Sequence, residues 1–315
     1  MLGFALPLPF RIRVPVVAVG LAAFLAVGLV GTYRYVDNFW VYRGFAPPKD
    51  PTYVHTKGVA TRFYLTSPAL GGRTQPIDVY LPPGYASSPH RRYPVIYLLH
   101  GVPGRPGAFL DTVRMGVVED ELVALHKIKP AILVMPFGST GSFTDEEWVN
   151  GVRSKSGWET FVARDLVHAV DARYRTIARG SARALAGLSE GGYGSLNIGI
   201  HHPGEFGVLE SWSGYQLADP IRSIFGTSRA ALAKNSPALT LGRQAARLRR
   251  DHTYFWFYSG TGDHFVGQNT AFAAQLRRLR LPHHYFVVRG GHNWAIWRGN
   301  ASRALIAMSK RLHAA

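Results

Sequence analysis

Three residues of this chain carry side chains suited to nucleophilic catalysis. Ser189 lies in Gly187-Leu188-Ser189-Glu190-Gly191, a G-x-S-x-G pattern, with Asp263 and His292 further on in that order. A serine hydroxyl is a poor nucleophile until a base takes its proton, and the base must itself be oriented by a third group. The chemistry on offer is therefore acyl transfer through a covalent serine intermediate. Each assignment has a rival. Ser189 could be an idle residue in a glycine-rich turn, Glu210 or Asp219 could supply the carboxylate, and His292 competes with twelve other histidines.

The elements that must position these groups are legible around them. Ala184 to Leu188 is a short apolar run of the kind that fills a strand buried on both faces of a parallel sheet, and a helical pattern runs from Glu190 to His202 before Pro203. A strand-to-helix turn this sharp leaves no room for side chains two residues either side of the serine, so both positions call for glycine. Asp263 follows the aromatic strand Tyr254 to Ser259, and His292 follows the last strand, His284 to Val288. All three should emerge at one sheet edge. His100-Gly101-Val102-Pro103-Gly104 follows the apolar strand Pro94 to His100. From that turn the Val102 N–H, with the N–H of Glu190, would form an oxyanion hole.

Strands are also expected at Val59 to Thr66, Ile77 to Leu81, Pro130 to Phe137 and Phe206 to Ser211, and helices at Trp158 to Tyr174, Gln268 to Leu279 and from Trp294 to near Leu312. The alternation predicts an α/β fold with a mostly parallel central sheet covered by helices on both faces. Gly138 to Lys155 reads as an active-site loop. Gly214 to Arg250, broken by Asp219-Pro220 and Asn235-Ser236-Pro237, reads as an irregular insertion with short helical pieces, a candidate lid over the site.

Val14 to Gly31 holds eighteen residues without a charge, about 27 Å as a helix and close to the thickness of a bilayer core. Arg11 and Arg13 precede it with no acidic residue, so residues 1–13 should stay in the cytoplasm, 14–33 should anchor the chain, 34–55 should serve as a linker, and the domain 56–315 should lie outside. Cleavage as a signal peptide, and secretion, is the alternative.

Composition limits the rest. The 315 residues, 47% hydrophobic, suffice for a large core, and the absence of cysteine excludes disulfides, thiolate catalysis and cysteine metal sites. The net charge of +17 comes mostly from arginine, since only seven of the 36 basic residues are lysine. The basic residues are scattered, with one cluster at Arg243, Arg247, Arg249 and Arg250 that reads as a solvated helix face, so no nucleic-acid partner is expected and an anionic membrane or wall surface is favoured. His201-His202 and His283-His284 lack an accompanying carboxylate motif, and neither a metal nor an organic cofactor is expected.

With YLLHGVPG, AGLSEGGYGS, GTGDHF and GGHNWAIW in view, the chain from Thr56 onward resembles the esterase D-like α/β-hydrolases, which include feruloyl and enterochelin esterases and the antigen 85 mycolyltransferases. Gly157-Trp158-Glu159-Thr160-Phe161 and the spacing of His292, Trp294 and Trp297 are similar to the mycolyltransferase branch. That branch generally carries glutamate at the position of Asp263 and aspartate at that of His100. The resemblance implies Ser189, Asp263 and His292 as the triad, Tyr193 and Trp294 as substrate contacts, and an ester-bearing small molecule, lipid or glycan as substrate. Hydrolysis and acyl transfer to a sugar hydroxyl both remain open at this point, as does a non-catalytic surface-binding role.

Overall fold

A computed structural model describes residues 10–36, 50–141, 144–152 and 156–312. Residues 1–9 of the expected N-terminal segment and 37–49 of the expected linker therefore lie outside the described residues, as do 142–143 and 153–155 of the expected 138–155 loop. The chain divides into two units, Met1–Pro47 and Pro48–Ala315.

The first unit contributes α1 (Phe10–Val36), which starts before and ends after the expected span. Its window Pro15–Thr32 is fully exposed and has the length and apolarity to cross a membrane, a property it shares with signal sequences.

The second unit is built on eight strands: β1 (Val59–Ser67), β2 (Arg73–Leu81), β3 (Val95–Leu99), β4 (Ile132–Pro136), β5 (Arg183–Leu188), β6 (Val208–Trp212), β7 (Tyr254–Gly260) and β8 (His283–Val288). They form one sheet in the order β1-β2-β4-β3-β5-β6-β7-β8. β1 and β2 pair antiparallel around the turn at Gly71 and Gly72, both at positive φ, and β2 lies antiparallel to β4. The remaining pairings are parallel. Their register matters for the site. Leu99 lies opposite Gly187, Leu188 opposite Trp212, Trp212 opposite Tyr258, and Gly260 opposite Val288. The carboxyl ends of β3, β5, β7 and β8 thus finish along one edge of the sheet.

Alternate residues of the continuous apolar strands serve opposite faces, which is why those strands show no polar alternation. On one face Tyr97, Leu99, Leu185, Leu209 and Phe257 pack with α6 (Glu190–His201), α9 (Pro237–Arg250), α10 (Val266–Arg278) and a helix over residues 158–173. That helix runs as α4 (Trp158–Thr160), a π-helical stretch Phe161–Leu166, and α5 (Val167–Arg173), so the expected helix forms with a widened middle. On the other face Leu98, Ala186, Leu188, Trp212 and Trp256 pack with α2 (Ala108–Asp111), α3 (Met115–Ala124) and α11 (Trp294–Arg311).

The 214–250 insertion differs from its irregular expectation. It holds α7 (Arg222–Phe225), α8 (Arg229–Lys234) and the 14-residue α9, whose Leu241, Ala245 and Leu248 enter the main core. Pro237, which reads as a breaker, opens α9 from its first turn, where proline costs no hydrogen bond. Arg243, Arg247, Arg249 and Arg250 occupy its exposed face.

Candidate active site

Ser189 sits where β5 ends and α6 begins, at φ 55° and ψ −123°, a conformation rare for a residue with a side chain. The surroundings enforce it. The Ser189 N–H donates to the Trp212 carbonyl at 3.0 Å, and its own carbonyl accepts from the N–H groups of Gly192 and Tyr193. A Cβ on Gly191 would lie 2.0 Å from the Leu99 carbonyl oxygen, and one on Gly187 would lie 2.2 Å from the Gly191 oxygen. Both glycines of the G-x-S-x-G pattern are therefore sterically required.

Asp263 and His292 come from adjacent loops that are stitched together. Thr261 N–H donates to the Val288 carbonyl and Gly262 N–H to that of Gly290, each at 2.8 Å. His292 Nδ1 donates to Asp263 Oδ2 at 3.1 Å, and Ser189 Oγ donates to His292 Nε2 at 2.8 Å. These two partners assign the imidazole tautomer. Asp263 Oδ1 accepts from the Phe265 N–H at 2.9 Å. Burial works to raise the Asp263 pKa, but the hydrogen bonds from His292 and the Phe265 N–H outweigh it and hold the carboxyl below its ordinary range. The alternative acids are not at the imidazole. Glu210 lies within β6 and accepts from Trp212 Nε1 at 3.0 Å, and Asp219 is exposed beyond β6.

Val102 lies on the turn leaving β3, beside the nucleophile. A Cβ on its neighbour Gly101 would stand 2.9 Å from Ser189 Cβ. Among the described residues the Val102 N–H donates to no backbone carbonyl. Glu190 is the first residue of α6, so its N–H has no partner within the helix. His100 fixes this turn. Its Nδ1 donates to the Gly101 carbonyl at 2.9 Å, its Nε2 accepts from the Gly138 N–H at 3.1 Å, and its carbonyl accepts from Trp148 Nε1 at 3.0 Å. Burial pulls the His100 pKa down to about 4, so the ring is neutral and can serve as both donor and acceptor.

The two residues expected to touch substrate are both buried. Tyr193 is fully buried, its hydroxyl donates to the Asn235 carbonyl at 2.6 Å, and its ring stacks on Tyr215 at 4.6 Å. Trp294 is 8% exposed and stands edge-on to Trp297, whose ring in turn stands edge-on to His292 at 5.1 Å. Phe265, which sequence reasoning did not single out, lies between the two groups, 5.6 Å from the His292 ring and 5.1 Å from Tyr215. Its place directly after the Asp263 turn was the available signal. Trp148 was also missed. A Cβ on Gly194 would lie 2.7 Å from Trp148 Cβ, so that glycine admits the indole.

His201 and His202 do have a carboxylate partner. Both bond Glu159 at 2.9 Å. Burial raises the Glu159 pKa, but the two imidazoles outweigh it and hold it down at about 2. Among the described residues no group of three His, Asp or Glu side chains is arranged to hold a metal ion.

A serine, an imidazole and a buried carboxylate in hydrogen-bonded series beside two backbone donors can carry out acyl transfer. Comparison with known proteins agrees with this chemistry. The chain is 35% identical over 154 residues to an endo-1,4-beta-xylanase/feruloyl esterase of Xylanibacter ruminicola, a match covering 45% of this chain and 20% of that relative's length. It is 26% identical over 225 residues to the diacylglycerol acyltransferase/mycolyltransferase Ag85A of Mycobacterium leprae, covering 63% of this chain and 61% of the relative. A solved ferulic acid esterase superposes with a TM-score of 0.73 at 22% identity, over 82% of this chain and 100% of that one, which shows the α/β-hydrolase fold. The Esterase family model matches residues 67–311, from the end of β1 to the end of α11, and the chain belongs to that family.

Proposed function

We propose that this protein is a serine-dependent carboxylic-ester hydrolase. The observation that carries the reading is the continuous series Ser189 Oγ, His292 Nε2, His292 Nδ1, Asp263 Oδ2, with links of 2.8 and 3.1 Å. Ser189 Oγ attacks the ester carbonyl while His292 takes its proton. Asp263 holds the imidazole in the required tautomer and stabilises the imidazolium. The N–H groups of Val102 and Glu190 receive the oxyanion. His292 then protonates the departing alkoxide, leaving an acyl-serine that water cleaves by the same route in reverse. Tyr193 and Trp294 serve this site from behind, bracing Tyr215 and Trp297 rather than meeting substrate directly.

The substrate class is an ester on a small molecule, lipid or glycan. The domain acts outside the cytoplasm, held at the membrane by α1, which supplies the necessary apolar span. The similarity to Ag85A favours a second reading, transfer of the acyl group to a sugar hydroxyl. Incubation with p-nitrophenyl esters of graded chain length, with and without trehalose, separates the two. Free acid as the product in both conditions supports the hydrolase. Acylated trehalose supports the transferase, and failure to turn over any ester contradicts both.

A further inference from the structure

A groove lies away from Ser189, where β7 and β8 begin. There α11 and the amino-terminal halves of β7 and β8 line an open groove of about 610 Å³, a volume in the range of small-molecule sites. Tyr254, Trp256 and Phe286 form its floor, with Trp256 and Phe286 edge to face at 5.1 Å. Arg303, Lys310 and Arg311 line it from α11.

The charges of this groove are unbalanced. No carboxylate lines it, and none of the three cations forms an ion pair among the described residues. Arg303 makes one long hydrogen bond, to Asn300 at 3.4 Å. The guanidiniums are nevertheless held in place: that of Arg311 lies 4.2 Å from the Tyr254 ring centre, and that of Arg303 lies 5.8 Å from that of Phe286. Behind the floor, Glu210 is fully buried and bonded to Trp212, and burial raises its pKa, which favours its neutral form. His284 also lines the groove.

We propose that this groove binds an aryl carboxylate, its ring on Trp256 and Phe286 and its carboxylate between Arg303, Lys310 and Arg311. Planar guanidinium forks match a carboxylate, and an aromatic floor favours a flat apolar body. Ester hydrolysis releases carboxylates, so the reaction supplies ligands of this charge. The groove is separate from the serine site and would retain or sense such an acid.

The test is calorimetric titration of the full chain, in an uncharged detergent, with 2-naphthoate. The neutral analogue 2-naphthamide, inorganic phosphate and phosphatidylglycerol vesicles are the comparison ligands. Naphthoate should occupy a site that R303Q/R311Q weakens at least tenfold, with the thermal midpoint and ester turnover of the variant unchanged. Naphthamide should bind at least tenfold more weakly than naphthoate. Because a weaker site in the serine cleft would persist in both proteins, the comparison holds whether or not Ser189 is the nucleophile. Equal naphthoate affinity in the two proteins would overturn the proposal. So would variant-sensitive binding of phosphate or vesicles that naphthoate fails to displace, which would assign the groove to a phosphate head group.

Discussion

His100 offers a test of how the oxyanion turn is held. Burial keeps its ring neutral, and in that state Nε2 accepts the Gly138 N–H while Nδ1 donates to Gly101. The folded-state pKa is about 4 against an ordinary value of 6.5. As pH falls below 6.5 the unfolded chain takes up this proton while the folded chain resists it, so stability declines until the folded pKa is reached. Between pH 7.5 and 4.5 the loss from this one group integrates to about 2.5 kcal/mol. The variant His100→Asn does not titrate. At pH 7.5 it should be less stable by about 1–3 kcal/mol, because the Gly138 N–H loses its acceptor. Urea unfolding of both proteins across this range should show that gap shrinking by about 2.5 kcal/mol as the pH falls, since other titrating groups cancel in the comparison. In the folded enzyme Nε2 takes up its proton only as the pH approaches about 4, so the part of ester turnover that depends on the link steadying Val102 should be lost there and not between pH 7.5 and 4.5. A gap that stays constant from pH 7.5 to 4.5 would mean that His100 is not held neutral in the folded protein.

Three further outcomes follow from the geometry. Asp263→Asn should lower kcat by roughly 10⁴ with little change in unfolding midpoint, because the amide favours the wrong imidazole tautomer; stopped-flow ester hydrolysis measures it. Gly191→Ala places a Cβ against the Leu99 carbonyl, where neither backbone can yield, and should cost about 3 kcal/mol in urea unfolding, at the upper end for overpacking. Glu159 contributes stability that is fully present above its ordinary pKa of 4.5 and lost as pH falls toward its folded value of about 2. Glu159→Gln should therefore flatten the acid-unfolding profile in that window, as followed by circular dichroism.

Much of this site could be read from the sequence because its chemistry and its sterics use the same residues. Gly187 and Gly191 mark the elbow since any side chain there meets backbone, and the apolar run before Ser189 has no polar alternation because helices cover both of its faces. The order of Ser189, Asp263 and His292 was equally visible, as each follows a strand. What escaped was set by packing between distant segments. The stripe Leu241, Ala245, Leu248 had helical spacing, but four arginines and the flanking Asn235-Ser236-Pro237 obscured it. Tyr193 stood in the right motif for a substrate contact, yet its hydroxyl is satisfied by Asn235, 42 residues away. The role of His100 depends on Gly138 and Trp148, a relation that no local pattern encodes.

Ser189 is the nucleophile on which the proposed chemistry turns. Intact-protein and peptide mass spectrometry after treatment with a serine-reactive phosphonate tests it most directly, with Ser189→Ala alongside. One adduct per chain is expected, located on the peptide bearing Ser189, with loss of ester turnover in proportion to labelling and neither label nor turnover in Ser189→Ala. Full turnover in Ser189→Ala, or an adduct on another serine that abolishes activity, would contradict it.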